Sequence, residues 1–496
     1  MYRIIYRYLT VCVTLIFTIT SVAQVRPNII YIYSDDLGYG ELGSYGQQKI
    51  KTPYLDQLAA EGIRFTQHYA SAPVCAPSRC MLLTGKHSGH AAIRGNHELG
   101  GFADSSERGQ QPLPTGTFTI GHLMKQAGYA TAIIGKWGLG MASNSGNPNL
   151  HGFDFSYGYL DQKQAHNYYP THLWKNGVWD TLFNPEINVH KRLDSTQLTE
   201  QSFAYYQGKT YAPDKITQQA LSFIRKQASQ PFFLYLPYTL PHLSLQIPDS
   251  LLEAYKGVFN ERAYYGQKGY ASHPFPLSAY AAMITYLDKQ VGIILQQLQE
   301  LKLDSNTLIM FSSDNGATFD VGGANTPFFF SNGKLRGTKG DVFEGGIRVP
   351  MIARWPGKIA PATISNHVSV QYDVMATLAE ITNQKILTTD GISFLPTLIG
   401  KIAKQTEHPF LYFEFPETGG QLAIRMGKWK GIKRDMHKNP EKPWMLFDLE
   451  SDPSETTNVF LQNPSIIRQM EKIAQREHQH PILREWEIFN THATNK

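Results

Sequence analysis

The 496-residue chain has only three cysteines, no long apolar run after its first residues and no strong excess of charge of either sign. Three cysteines are too few for an exported fold that depends on several disulfide bonds. No later run reaches the roughly 20 apolar residues that a membrane-spanning helix needs. We therefore expect no membrane span in the chain that remains once its N-terminal segment, a predicted signal peptide, has been cleaved. The net charge of +5 is too small to indicate binding to nucleic acid or to an anionic membrane. An anionic substrate would therefore have to be held by a local group of basic side chains.

The first 23 residues form a separate unit. Arg3 and Arg7 are their only charged residues, and an apolar run from about Leu9 to Ile19 follows. Ser21-Val22-Ala23 then provides the small residues of a cleavage site. This pattern predicts a secretory signal peptide, and so an exported protein, periplasmic or extracellular. An uncleaved membrane anchor is the alternative, and the shortness of the apolar run argues against it.

Short apolar runs rich in β-branched and aromatic residues alternate with amphipathic patterns through most of the chain. The runs predict buried parallel strands at Asn28–Ser34, Ala130–Ile134, Phe232–Leu236 and Thr307–Phe311. The amphipathic patterns predict helices at Thr52–Gly62, Phe118–Gly128 and Ser278–Leu301. This alternation predicts an α/β fold with one large sheet between layers of helices.

The sequence changes character after Lys401. Short segments typical of antiparallel strands occur at Phe410–Phe415, Gln421–Arg425, Trp429–Ile432 and Met445–Leu449, and a helix is predicted at Pro464–Gln479. We therefore predict an N-terminal catalytic domain over residues 24–402 and a small α+β subdomain with an antiparallel sheet over 403–496. Two stretches rich in Gly, Asn, Pro and aromatic residues, Met141–Pro170 and Tyr255–Pro276, are expected to be active-site loops.

A reactive side chain, a cation and an anion-binding turn coincide at Cys75-Ala76-Pro77-Ser78-Arg79. Pro77 and Ser78 favour a helix start, where backbone N–H groups and the helix dipole attract an anion. The same setting is expected to lower the pKa of the Cys75 thiol. Two alternatives remain, a buried structural cysteine beside a helix cap and a Cys75–Cys80 disulfide that would disable the nucleophile.

Two predicted strands end in metal-ligand residues. Asp35 and Asp36 follow the first strand directly, and Asp314 and Asn315 follow the strand Thr307–Phe311. In open α/β sheets, ligands bind beyond the carboxyl ends of the strands. Three carboxylates and one amide oxygen suit a hard divalent cation, Ca²⁺ or Mg²⁺, better than zinc.

The stretch Cys75–Gly85 resembles the sulfatase signature C-x-P-S-R-x-x-x-L-T-G at every fixed position. Arg26–Gly40 and Ser313–Gly316 also resemble the metal-binding segments of that family, apart from Glu41 where Asp is usual. The resemblance extends from about Arg26 to Pro464 and is to formylglycine-dependent sulfatases of the cysteine type, including bacterial glycan sulfatases. It implies an alkaline-phosphatase-like mixed sheet. It also implies a formylglycine-generating or sulfatase-maturing enzyme that converts the cysteine to Cα-formylglycine, whose hydrate attacks sulfur.

The resemblance also implies roles for single residues. Residue 75 joins the four oxygen ligands at the cation, and Arg79 orients the hydrate. Lys136 and Lys339 contact the sulfate, and His242 protonates the leaving oxygen. Arg348 is a further candidate for substrate binding.

One position departs from the family pattern. The usual Gly-Lys-Trp-His-Leu-Gly has a histidine that helps to deprotonate the hydrate, and this chain has Gly138 there. Either another group replaces the histidine or turnover is impaired. His166, in a polar and aromatic loop, is the predicted substitute and a candidate substrate-binding residue. A histidine that contacts glycan or braces the loop is the alternative for His166.

Loops rich in Tyr, Trp, His and Asn favour binding to sugar rings, so we expect a sulfated carbohydrate substrate, with a galactose- or N-acetylgalactosamine-type sugar. Gln162–Trp174 and Glu414–Arg425 are the candidate specificity loops. Two other functions stay open at this point: hydrolysis of phosphonate monoesters or phosphodiesters with the same nucleophile, and glycan binding without catalysis.

Overall fold

The computed structural model describes residues 26–101, 103–194, 196, 199–386 and 388–489. The predicted signal peptide, residues 1–23, lies outside the described residues. Within the described part of the chain, no helix combines the length and the apolar character needed to cross a membrane.

The described residues form fifteen strands and twelve α-helices. The strands are β1 (Asn28–Ser34), β2 (Ile63–Tyr69), β3 (Ala130–Lys136), β4 (Phe155–Tyr159), β5 (His172–Lys175), β6 (Val178–Thr181), β7 (Phe232–Pro237), β8 (Thr307–Ser313), β9 (Arg348–Arg354), β10 (Thr363–Ser365), β11 (Ser369–Val370), β12 (Leu411–Phe415), β13 (Gln421–Met426), β14 (Trp429–Arg434) and β15 (Met445–Asp448). The helices are α1 (Pro53–Ala60), α2 (Cys75–Thr84), α3 (Ile120–Gln126), α4 (Glu200–Phe203), α5 (Ala212–Lys226), α6 (Asp249–Leu252), α7 (Pro276–Glu300), α8 (Thr326–Phe329), α9 (Glu344–Ile347), α10 (Asp373–Thr382), α11 (Leu395–Leu398) and α12 (Pro464–Glu477).

Among the described residues, eleven strands form one mixed sheet in the order β10-β2-β9-β8-β1-β7-β3-β4-β5-β6, with β11 also paired to β2. The central strand β1 is parallel to both of its neighbours, β7 and β8. Alternate residues of β1 belong to two hydrophobic clusters, with Ile30 and Ile32 in one and Ile29 and Tyr31 in the other. Successive side chains of a strand point to opposite faces, so both faces of the sheet are covered. The predicted α/β sheet with helical layers is confirmed.

The last four strands, β12 to β15, form a separate antiparallel sheet, as predicted. Phe413 packs in a cluster with Tyr69 of β2, whereas its neighbour Tyr412 packs in a cluster with Met470 of α12. One face of the small sheet therefore rests on the main sheet region and the other is covered by the terminal helix. The domain boundary at residues 402–403 stays a prediction.

The stretch Met141–Pro170 is not entirely loop, contrary to expectation. It contains β4, which pairs in parallel with β3 and so extends the main sheet. Ser156 and Gly158 interrupt the apolar pattern of β4, which made this segment resemble a loop. Six further strands of the main sheet, β2, β5, β6, β9, β10 and β11, were not predicted. Arg64 and Gln67 interrupt the apolar pattern of β2, and Pro350 lies within β9.

Candidate active site

Four adjacent strands, β8, β1, β7 and β3, run parallel and end at one edge of the main sheet. The register of β1 against β8 pairs Ser34 with Ser313. The next residues along each strand, Asp35 and Asp314, therefore meet at this edge. Lys136, the last residue of β3, ends there too. The site is thus built at the carboxyl ends of parallel strands, where the sequence predicted it.

The five predicted metal ligands lie together. Asn315 Nδ2 donates a hydrogen bond to Asp36 Oδ1 at 2.8 Å, and the Asp36 backbone N–H donates to Asp314 Oδ1 at 3.0 Å. Cys75 Sγ lies 3.6 Å from Asp35 Oδ1. All five residues are buried.

The donor set suits a hard cation. Asn315 Oδ1 is buried and has no hydrogen-bond partner among the described residues. A buried acceptor without a partner, beside three buried carboxylates, fits the oxygen ligands that Ca²⁺ and Mg²⁺ prefer. His242, which the sequence did not associate with this cluster, places Nε2 3.6 Å from Asp36 Oδ2.

Two lysines neutralise part of the acidic cluster. Lys136 Nζ donates to Asp35 Oδ2 at 2.6 Å, and Lys339 Nζ lies 2.9 Å from Asp36. Burial acts to raise the pKa of Asp35, but Lys136, together with His242, Arg79 and Lys339, outweighs burial and holds that pKa well below its usual range. Burial likewise acts to lower the pKa of Lys339, but Asp36, together with Cys75 and Asp35, outweighs burial and raises that pKa well above the usual range. Both lysines are therefore charged at neutral pH.

Arg79 connects the helix that contains it, Cys75–Thr84 (α2), to the acidic cluster. Its Nε and Nη2 donate to Asp314 Oδ2 at 3.2 and 2.7 Å, and its Nη1 donates to the Lys136 carbonyl at 2.8 Å. Burial and the neighbouring Asp35 carboxylate raise the pKa of Asp314 in spite of this contact. A divalent cation held by these carboxylates would offset that repulsion.

Helix α2 begins at Cys75 itself. The Ala76 N–H at this helix start donates to Asn96 Oδ1 at 3.0 Å. Burial raises the pKa of the Cys75 thiol to about 12, so the expectation of a lowered thiol pKa is wrong. Loss of hydration outweighs the nearby lysines. Cys75 and Cys80 are both buried and free, so the described residues contain no Cys75–Cys80 disulfide.

His242 and His166 stack on each other, with ring centroids 4.7 Å apart and ring planes 15° apart. His242 Nδ1 donates to the Leu243 carbonyl, and its Nε2 lies 3.1 Å from Lys339 Nζ and accepts from it. Burial, followed by the Lys339 charge, lowers the pKa of His242 to about 4. His166 Nδ1 lies 3.3 Å from His190 Nε2.

A cavity of about 520 Å³ has Cys75, His166, His242 and Lys339 in its wall. Both candidate specificity loops contribute to it. The lining residues from these loops are Gln162 and His166 from the first and Phe415, Glu417 and Thr418 from the second. Arg79 and Lys136 are buried outside this wall and contact Asp314 and Asp35 instead.

Some lining residues were missed, and two predicted substrate-binding residues, Lys136 and Arg348, lie outside the cavity wall. Asn96, Glu98 and Tyr270 line the cavity. Tyr270 falls in the predicted loop Tyr255–Pro276, but no spacing or motif singles out the other two. Arg348 is not in the wall of this cavity; it donates to the Thr66 carbonyl and to Glu344.

Comparison with known proteins gives consistent matches. The Sulfatase family model matches residues 27–384, and the model for the N-sulphoglucosamine sulphohydrolase C-terminal region matches residues 338–480. An N-acetylgalactosamine-6-O-sulfatase of Bacteroides thetaiotaomicron is 30% identical, covering 90% of this chain and 92% of that protein. Bovine (Bos taurus) arylsulfatase A is 31% identical, covering 87% and 83% of the two chains.

The solved structure of Ps i-CgsB in complex with k-i-k-neocarrahexaose superimposes with a TM-score of 0.73 at 28% identity, covering 92% of this chain and 94% of that one. The family expected from the signature around Cys75 is therefore confirmed by sequence and by fold. Because the family match spans well over half of the chain, the protein belongs to the sulfatase family.

Proposed function

We propose that the protein hydrolyses sulfate esters of a sulfated carbohydrate that contains a galactose- or N-acetylgalactosamine-type sugar. The name of the Bacteroides relative and the oligosaccharide in the solved structure support this substrate class. The proposal depends above all on Cys75, whose Sγ lies 3.6 Å from Asp35 in a cavity that also presents His242 and Lys339.

Two groups would complete this site, Cα-formylglycine made from Cys75 and a Ca²⁺ or Mg²⁺ ion. When present, they supply a hydroxyl nucleophile from the hydrated aldehyde and positive charge for the sulfate oxygens. Asp35, Asp36, Asp314 and Asn315 would hold the cation through their oxygens. The unpartnered Asn315 Oδ1 supports this assignment.

Basic side chains provide the rest of the sulfate site. Lys339 presents its ammonium group in the cavity wall, where it can contact a non-bridging sulfate oxygen. Lys136 keeps a second positive charge in the acidic cluster through its 2.6 Å contact with Asp35. Arg79 fixes the helix that starts at Cys75 by its paired bonds to Asp314.

A proton for the leaving oxygen is held between Lys339 and His242. Nζ of the lysine and Nε2 of the histidine are 3.1 Å apart, and the lowered His242 pKa leaves that proton on the lysine in the resting site. An alkoxide that forms beside this pair would receive the proton from Nε2 after Nε2 has taken it from Nζ. The stacked His166 ring limits rotation of His242.

Maturation and export are part of the proposal. Cys75 is 2% exposed in the folded chain, so a formylglycine-generating or sulfatase-maturing enzyme would have to reach it before folding is complete. The predicted signal peptide supports export to the periplasm or the medium, where sulfated polysaccharides are accessible.

The decisive experiment produces the protein with a maturing enzyme and examines the tryptic peptide that contains residue 75 by mass spectrometry. The same preparation is then assayed on defined sulfated disaccharides, on 4-nitrophenyl sulfate and on an aryl phosphonate monoester. We expect an aldehyde at residue 75 and faster hydrolysis of the sulfated sugars, with Cys75→Ala inactive. Full activity with an unmodified thiol would refute the mechanism, and faster phosphonate cleavage would favour the alternative hydrolase.

A further inference from the structure

Gln162 occupies the space next to Gly138. A β-carbon placed on Gly138 would lie 2.7 Å from Gln162 Cγ and 3.1 Å from Gln162 Cδ. The Gly138 N–H donates to the Leu160 carbonyl at 3.2 Å, which holds the two segments together. Any side chain at position 138 would therefore displace Gln162. The glycine allows the glutamine to reach the cavity wall.

The amide group of Gln162 is linked to the start of helix α2. Gln162 Nε2 donates to Asn96 Oδ1 at 3.3 Å, and the same oxygen accepts the Ala76 N–H at 3.0 Å. Gln162, Asn96 and Cys75 all line the same cavity. Two hydrogen bonds that share Asn96 Oδ1 therefore connect Gln162 to Ala76, the residue that follows Cys75.

The carbonyl oxygen of the Gln162 amide, Oε1, has no hydrogen-bond donor among the described residues. Gln162 is 3% exposed, and its Oε1 accepts no hydrogen bond from the described residues. A buried carbonyl oxygen without a donor destabilises the folded state, so such an atom in a binding cavity indicates a donor that arrives later. Conversion of Cys75 to hydrated formylglycine would place two hydroxyl groups where one thiol stood, and so would add donors to the wall of the cavity that Gln162 also lines.

We infer that Gln162 positions the formylglycine hydrate, its Oε1 accepting a hydrogen bond from a hydroxyl group of residue 75. The inference rests on the proposed function, because it requires modification of Cys75. An amide oxygen accepts a hydrogen bond but does not take up the proton near neutral pH, so Gln162 orients the hydroxyl and is not its base. His166, for which the sequence predicted a role at the hydrate, lines the same cavity and stacks on His242, and that role stays a prediction.

The test compares thermal stability with and without the modification. Wild type, Gln162→Met and Gln290→Met are each produced with and without a maturing enzyme, and the aldehyde content is measured by mass spectrometry. Methionine keeps the volume of glutamine and removes the acceptor. Gln290, a buried glutamine of α7 outside the cavity wall, provides the matched control.

We expect maturation to raise the Tm of wild type and Gln290→Met by about 1–2 °C more than that of Gln162→Met. In the matured enzyme, Gln162→Met should lower kcat about tenfold or more, with KM unchanged. Equal Tm shifts in all three proteins, or a loss confined to KM, would overturn the inference. If no aldehyde forms at residue 75, the inference and the proposed function both fail. Matured wild type that hydrolyses no sulfate ester refutes only the proposed function, since the thermal comparison needs no substrate.

Discussion

Ser34 and Ser313 lie side by side as register partners on the parallel strands β1 and β8. Each is the last residue of its strand, and each is followed by the acidic residues of the candidate metal site. This single pairing therefore brings Asp36 and Asp314, 278 residues apart, into hydrogen-bond contact. A shift of one residue in this register would separate the two halves of the site and turn one strand's side chains to the other face.

The first prediction concerns the cation. Ca²⁺ should raise the Tm of wild type relative to a sample treated with a chelator, because a ligand that binds only the folded state stabilises it. The gain is about 2.7 kcal/mol when free Ca²⁺ exceeds its Kd a hundredfold. Asn315→Leu, which removes the unpartnered Oδ1, should lose most of this shift in differential scanning calorimetry. The same Ca²⁺-dependent shift in both proteins would contradict the proposed ligand set.

The second prediction concerns the space beside Gly138. Gly138→His should lower the free energy of unfolding by about 2 kcal/mol or more, because the new β-carbon meets Gln162 and the residue has a φ of +70°. Adding Gln162→Gly should recover part of this loss by removing the contact, while the backbone strain remains. Urea unfolding of both single variants and the double variant measures the coupling. Purely additive losses would show that the two residues do not compete for space.

The third prediction concerns a buried ion network between the small sheet and the main domain. Lys430 Nζ on β14 lies 2.9 Å from Glu344 at the start of α9 and 3.0 Å from Glu455, and all three side chains are fully buried. Lys430→Met should destabilise the protein by about 3–5 kcal/mol, because it takes the counter-charge from the buried Glu455 carboxylate and leaves Glu344 paired with Arg348 alone. Adding Glu344→Gln should restore part of the loss in calorimetry. A loss below about 1 kcal/mol for Lys430→Met would mean that water reaches the network.

The fourth prediction concerns acid stability. Burial lowers the pKa of His87 to about 4, although the Asp390 carboxylate acts in the opposite direction. The unfolded chain, with a histidine pKa near 6.5, therefore binds more protons than the folded chain between about pH 6.5 and 4. The stability that neutral His87 contributes is complete above pH 6.5 and is lost as the pH falls through this window, by up to about 3 kcal/mol.

Replacing the His87 imidazole tests the direction of this pH dependence. His87→Asn should lower the free energy of unfolding at pH 7, because the contact between His87 and Glu477 is lost. Between pH 7 and pH 4.5, however, the free energy of unfolding should fall less in the variant than in wild type. Free energies of unfolding at the two pH values give the comparison. A steeper acid loss in the variant would show that the His87 pKa is not lowered.

The fifth prediction concerns thiol reactivity. Because burial raises the pKa of the Cys75 thiol to about 12, only about one thiol in ten thousand is ionised at pH 8. In unmodified native protein, iodoacetamide should therefore label Cys75 far more slowly than in urea, as read from the peptide that contains it. Cys80, whose pKa burial raises to about 11, should behave similarly. Rapid labelling of Cys75 alone in the native state would mean that the thiol is hydrated.

The central strands could be predicted because each is a continuous apolar run. The prediction for β1 has the bounds of the observed strand, and β8 continues two residues beyond its predicted end at Phe311. Strands β2 and β9 could not be predicted in the same way, since Arg64 and Gln67 interrupt the apolar pattern of β2, and Pro350 lies inside β9, where a proline argues against a strand. Their place in the sheet depends on partners elsewhere in the chain: Arg354, for example, is held by Glu61 and Asp304.

Local patterns alone determined the nucleophile turn at Cys75, the two pairs of candidate metal ligands and the strands that bring them to one edge, because each depends on spacing within a single element. Only the tertiary structure decided that Gln162 fills the space at Gly138, that His166 rests on His242 and that Arg348 lies outside the cavity. It also reversed the expected shift of the Cys75 pKa. These outcomes depend on how side chains from distant segments pack and on how much water they exclude, and neither can be read from neighbours in the chain.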